Sequence, residues 1–247
     1  SSKNLKEYWN QYVTIYYIIS KKPEFEEQIS NENLQTFYRS LFKGLWDDFK
    51  QEEKPYALTG KVFEIMYTFL EKSTNKLITL NTKEIDIFLS LLPKIMPCNE
   101  DKKISFSIAN SYLLALCSVF KYHFFEDKSL FNNFLKYIVD FNKLFINDEH
   151  IQSMICQLMT SILINQPQSI TEMFKLNYID DDSFVSSLIL ALSNAYQACD
   201  NFNDKYENGL SYLFATLLLH LTNNSILPRQ SSFKLMSLMI IKSDDYF

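Results

Sequence analysis

The aspartates Asp180, Asp181 and Asp182 are the most concentrated acidic feature of the sequence. Aspartates spaced along one helix face in a DDxxD pattern could bind magnesium, but Ser183 follows and the second carboxylate of that pattern is missing. Acidic residues ahead of an apolar helix also cap its free N–H groups and complement its dipole. We therefore expect this triplet to cap a helix.

The histidines and cysteines do not have the spacing of a metal site or the surroundings of a catalytic nucleophile. Cys117 and His123 are six residues apart, as are His150 and Cys156. Zinc ligands within one helix need a spacing of three or four, or paired CxxC knuckles. Apolar surroundings should keep the cysteine thiols protonated and inert, and His220 lies in an apolar run typical of a core or groove histidine. We expect neither metal nor other cofactor, and no enzyme activity.

The rest of the composition excludes further function classes. The only glycines, Gly44, Gly60 and Gly209, are isolated, so the sequence contains no glycine-rich phosphate-binding motif. Of 24 basic residues only Arg39 and Arg229 are arginines, on a chain of net charge −5. Arginine is the preferred residue for phosphate and base contacts, so we expect no nucleic-acid partner.

The cellular compartment of the protein can also be predicted from the sequence. No apolar run is long enough to span a bilayer, and no signal peptide is visible. Four scattered cysteines without a CxxC motif are typical of reduced, buried thiols. We expect an intracellular eukaryotic protein, cytoplasmic or nuclear, with no small-molecule substrate.

Two polar or aromatic stripes are candidate recognition surfaces. Four residues recur at intervals of three, four and three on one helix face: Asn133, Lys136, Asp140 and Lys143. They could bind a partner protein, with asparagine bonding a peptide backbone, or could form a solvated outer face. The N-terminal stripe Trp9, Tyr12, Tyr16 and Ile19 could be an interface or a buried end cover, and we favour burial.

Apolar residues at three- and four-residue intervals predict an all-α protein of about eleven helices. The predicted helices are Lys3–Ser20, Asn33–Lys50, Pro55–Lys72, Thr82–Met96, Ser105–Phe125, Ser129–Asn147, Asp148–Asn165, Pro167–Asn177, Asp182–Cys199, Lys205–Thr222 and Pro228–Lys242. No Pro- or Ser-rich linker interrupts them, which predicts one helical-repeat domain over 1–247, with irregular helices in 1–100. The chain's ends suggest a segment of a larger protein.

Three apolar stripes share one helical phase at a constant offset of 38 residues: Leu113–Phe120, Ile151–Leu158 and Ile189–Tyr196. A second helix separates each stripe from the next, and two-helix units of about forty residues are the size of HEAT and armadillo repeats. Over residues 103–224 the chain therefore resembles an armadillo-like or HEAT-like α-solenoid, a right-handed array of antiparallel helix pairs.

The resemblance implies function as a protein–protein interaction scaffold or adaptor in a multi-subunit complex, with a peptide or helix as partner. A second hypothesis is a regulatory domain that binds a small GTPase or an actin-regulatory protein, which nucleotide-dependent binding would distinguish. A third, an all-α enzyme, lacks a carboxylate pair, metal spacing and a glycine loop.

Overall fold

The computed structural model describes residues 10–18, 21–22, 32–33, 35–36, 39–40, 43–44, 56–72, 82–90, 102–121, 128–175, 182–199 and 217–243. Within these ranges the regular structure is helical and no residue forms a strand, which confirms the all-α class. Residues 10–18 and 217–221 are helical, and the longer helices are α1 (Tyr56–Lys72), α2 (Thr82–Ser90), α3 (Lys102–Phe120), α4 (Lys128–Leu144), α5 (Glu149–Asn165), α6 (Ser169–Lys175), α7 (Asp182–Ala198) and α8 (Ile226–Ser243).

The chain divides into two compact units, unit one (Ser1–Val119) and unit two (Phe120–Phe247). In unit one, α1, α2 and α3 contribute Phe63, Phe88 and Tyr112 to an aromatic cluster with ring centroids 5.0–5.8 Å apart. The Tyr112 hydroxyl donates to the Phe88 carbonyl at 2.6 Å. Complete burial of Tyr112 raises its pKa well above the usual value, so the ring is a neutral core residue.

Unit two contains a helical hairpin formed by α4 and α5. The turn at residues 145–147 ends α4 three residues before the predicted limit of Asn147. Asp148 then caps α5, because its carboxylate accepts from the Ile151 amide at 3.0 Å. The Gln152 side-chain amide donates to the carbonyls of Asn142 and Phe145 at 3.2 and 3.1 Å. These bonds satisfy carbonyls at the end of α4, where a helix has no partner of its own, and hold the turn closed.

Alternate helices of unit two pack directly on one another. α7 packs against α5 on one side and against α8 on another. The first contact includes Asn194 and Cys156, which are 38 residues apart, the offset of the sequence stripes. Just ahead of α8, the Asn223 side-chain amide donates a 3.0 Å hydrogen bond to the Asp182 carboxylate at the start of α7. As a result α7 is buried along most of its length.

The helices that the structure describes in full follow the predicted ones closely. α5 begins one residue after Asp148 and ends at Asn165 as predicted, and α7 ends one residue before Cys199. α8 begins two residues before Pro228, which therefore lies in the first turn, where a missing N–H costs nothing. The predicted helices Asn33–Lys50 and Lys205–Thr222 fall largely outside the described residues, so the count of about eleven stays a prediction, as does the single domain.

Candidate functional site

The four residues that the sequence singles out lie together on the exposed face of α4. Asn133, Lys136, Asp140 and Lys143 are all exposed, and Tyr137 between them is 37% exposed. The opposite face of α4 is apolar and buried. The arrangement fits both a partner surface and a solvated face.

A different surface has the shape of a binding site. A cleft of about 690 Å³ opens between α5 and α7 and is bordered by the turn that follows α4. This volume is within the usual range for ligand sites. None of the four α4 residues lines the cleft, whose lining consists of Ile146, Asn147, Glu149, Gln152, Ser153, Cys156, Gln157, Ser187, Leu190 and Asn194.

Hydrogen bonds between the two helices stabilise this cleft. The Asn194 side-chain amide donates to the Cys156 sulfur at 3.8 Å across it. The Thr160 hydroxyl lies 2.8 Å from the Cys156 carbonyl of its own helix and 3.4 Å from the Ala191 carbonyl on α7. Because α5 and α7 are joined both by these bonds and by buried apolar contacts, the spacing between the walls is set before any ligand binds.

Most side chains that line the cleft are polar, but few are charged. Among the described residues of the lining, two glutamines, two asparagines and two serines supply donors and acceptors, and Glu149 is the only charged side chain. Each Asn or Gln side chain can donate and accept hydrogen bonds at once, as a peptide group does. Ile146 and Leu190 add apolar surface and are 51% and 39% exposed.

The lining is unsuited to nucleophilic or metal chemistry. Burial raises the pKa of the Cys156 thiol to about 11, although a hydrogen bond with Thr160 opposes the shift. A thiol with that pKa is protonated at neutral pH and is a poor nucleophile. None of the described residues that line the cleft is a histidine able to act as its base, and the same part of the chain contains no group of side chains able to hold a metal ion.

The remaining candidates are structural. Cys117, Cys156 and Cys199 are buried as expected, and Cys98 lies outside the described residues. His220 is only 4% exposed, which confirms a core position. Asp182 begins α7, where it lies in the first turn, while Asp180 and Asp181 are outside the described part.

The N-terminal aromatic stripe is described only in its middle. Tyr12 and Tyr16 are half-buried, with ring centroids 4.6 Å apart. Burial, followed by the neighbouring Tyr16, raises the pKa of Tyr12 to about 12. Ile15 and Ile18 on the same helix are exposed, and Trp9 and Ile19 lie outside the described residues. The half-burial of the two tyrosines agrees with a packing role more than with a free aromatic surface.

Sequence reasoning placed candidate recognition surfaces on α4 and on the N-terminal stripe and missed the cleft. A signal was present: Gln152, Ser153 and Gln157 break the apolar pattern of α5 on one side, and Asn194 does the same on α7. Local periodicity places each group on its own helix face but does not show that the two faces meet.

Within the described residues, no helix combines the length and apolar character needed to cross a membrane. The chain matches no protein-family model, no curated protein and no solved structure.

Proposed function

We propose that this protein is a non-enzymatic interaction scaffold or adaptor that binds an extended, neutral segment of a partner protein in the cleft between α5 and α7. The observation that carries the proposal is the preformed cleft lined by side-chain amides. An extended peptide leaves backbone N–H and C=O groups unpaired along its length, and these need donors and acceptors when they lose water. Asn194 and Gln157 are exposed at the cleft and offer both.

The charge of the cleft supports a neutral ligand segment. Glu149 is the only charged side chain among the described residues of the lining, so these residues offer no cation to a phosphate or an acidic peptide. Exposed Leu190 and Ile146 favour a peptide that presents small apolar side chains. The partner is a protein in an intracellular multi-subunit assembly.

We also propose that the helices of unit two belong to a right-handed α-solenoid of armadillo-like or HEAT-like type. The direct packing of α7 against both α5 and α8 supports this, because alternate helices form one layer of such an array. The contact between Cys156 and Asn194 at the repeat offset supports the same arrangement.

Selection of a random peptide library on the purified chain, followed by fluorescence anisotropy with the enriched peptide, tests the function. The double variant Asn194→Ala/Gln157→Ala removes two amides, each worth about 0.5–1.5 kcal/mol of hydrogen bonding. The combined loss of about 1–3 kcal/mol corresponds to an increase in Kd of about 5- to 150-fold.

Asn133→Ala is the matched control, since Asn133 is also an exposed helical asparagine but lies on α4. It should leave the Kd unchanged. A Kd that responds to Asn133→Ala and ignores the cleft variant would move the binding site to the α4 face. Enrichment of no peptide would contradict the proposal.

A further inference from the structure

The last helix, α8, exposes an apolar stripe with helical spacing. Ile226, Phe233 and Ile240 follow one another at seven-residue intervals and are 59%, 69% and 58% exposed. Residues seven apart lie almost above one another on a helix. Leu227 and Ile241 widen the stripe and are 58% and 65% exposed. We call these five residues the α8 apolar face.

The opposite side of the same helix is used for packing. Pro228, Ser232 and Leu235 are buried, and α8 packs against α7. The α8 apolar face therefore points away from the packed side. Several large apolar side chains exposed on one side of a helix mark an interaction site more often than single exposed residues do.

Two cations flank the line of Ile226, Phe233 and Ile240. At 3.6 residues per turn, Arg229 lies about 60° to one side of Ile226 and Lys234 about 80° to the other. Both are exposed, and neither forms an ion pair or hydrogen bond with any residue that the structure describes. The α8 sequence contains no Asp or Glu. That line of three apolar residues thus has a cation on each side, and Lys234 lies between Ile241 and Leu227 on the helix.

We propose that the α8 apolar face binds an acidic amphipathic helix of a partner protein. Ile, Leu and Phe at helical spacing are the anchors of helix-in-groove recognition. Carboxylates that flank the partner's own apolar stripe would pair with Arg229 and Lys234 and set its orientation. This site lies on a different helix from the α5–α7 cleft, and the proposal does not depend on that cleft.

The charges argue against a second copy of this chain as the occupant. An isologous dimer would place α8 against α8 and bring the cations of the two helices together, with no carboxylate on either helix. A lipid surface fits less well, because Gln230 and Ser237 interrupt the middle of the stripe and the chain carries a net charge of −5. An inserted face would have to bury the Gln230 amide without a partner.

Fluorescence anisotropy with the complete 247-residue chain tests the proposal. The probe is a labelled helical peptide of about five turns with leucines three and four residues apart and glutamates on both flanks. The comparison peptide keeps the leucines and replaces every glutamate with lysine. We expect the glutamate probe to bind at least about tenfold more tightly, since each lost or reversed flank pair costs up to about a factor of five.

Three variants locate the site. Phe233→Ala should weaken probe binding about tenfold by removing the central anchor. Arg229→Glu/Lys234→Glu should weaken binding of the glutamate probe and create binding of the lysine probe, a gain that misfolding cannot produce. Lys136→Glu/Lys143→Glu makes the same change of charge on α4 and should alter neither affinity. Cleft-peptide binding should survive all three.

Several outcomes would overturn the proposal. One is that the glutamate probe does not bind, and another is that both probes bind equally well. A third is that the Arg229→Glu/Lys234→Glu variant does not bind the lysine probe. A dimer that Phe233→Ala abolishes would assign the face to self-association. Co-sedimentation with anionic phosphatidylserine vesicles, lost in Phe233→Ala, would assign it to a lipid surface.

Discussion

Replacement of Asn142 by leucine should stabilise the protein, although it removes a polar residue from a helix. Asn142 lies on α4 and is fully buried. Neither its Oδ1 nor its Nδ2 atom has a hydrogen-bond partner among the residues that the structure describes. The bond from the Gln152 amide is to the backbone carbonyl of Asn142, so the substitution preserves it.

The expected change in the free energy of unfolding follows from these contacts. A buried polar group without a partner costs about 1–3 kcal/mol of desolvation, and leucine places the same number of heavy atoms with the same branching in the site. Leucine also has the higher helix propensity, by about half a kcal/mol. Its methyl groups are bulkier than the amide, and overpacking offsets part of the gain. We expect the free energy of unfolding to rise by about 1 kcal/mol.

Urea unfolding monitored by circular dichroism at neutral pH measures this change, and the thermal midpoint should rise by about 2–4 °C. Asn133→Leu is the control, because it makes the same substitution at an exposed position of the same helix. It should raise the unfolding free energy only by the helix-propensity gain of about 0.5 kcal/mol.

A loss of more than about 1 kcal/mol in Asn142→Leu, with no loss in Asn133→Leu, would refute the reasoning. It would mean that the Asn142 amide is hydrogen-bonded in solution, as to an ordered water, and contributes to stability.

Two further predictions concern titrating groups. Burial lowers the pKa of His220 below its usual value of about 6.5, against the opposing charge of Asp182. The unfolded chain therefore takes up a proton more readily than the folded one below about pH 6.5, and the unfolding free energy should fall as the pH drops. His220→Gln should flatten this slope in urea titrations, and an unchanged slope would assign the acid sensitivity to other groups. The Cys156 thiol, with a pKa of about 11, should react with dithionitrobenzoate far more slowly at neutral pH in the folded than in the urea-unfolded chain. Peptide mapping that finds Cys156 labelled at equal rates in both would disprove its burial.

Local patterns were enough to predict the helices. Asp148 precedes an apolar periodic run, and the structure has it as the cap of α5. Pro228 limits where a helix can begin and lies in the first turn of α8. The four polar residues predicted to share one face of α4 do lie on its exposed side. Caps, proline positions and face patterns act within a few residues, so the chain specifies them before any helix packs.

The helix face on which a residue lies does not determine which groups surround its side chain. Asn133 and Asn142 are nine residues apart, which places them about half a turn out of phase on α4. Periodicity therefore predicts that they face opposite ways. It does not reveal that the buried amide of Asn142 lacks a hydrogen-bond partner in the described residues, because any partner would come from another helix.

The candidate sites depended on the tertiary structure in the same way. The 38-residue offset indicated that α5 and α7 are equivalent, but only their packing brings Asn194 to Cys156 and opens the cleft between them. Apolar residues are spread around α8 and are not confined to one face, so its sequence alone does not indicate which side is buried. In the structure α7 covers one side and Phe233 remains 69% exposed on the other. A helix is set by hydrogen bonds between residues four apart, so the sequence determined where helices form. The partner of each helix face is set by side chains dozens of residues away, so only the tertiary structure decided which faces became core, cleft or open surface.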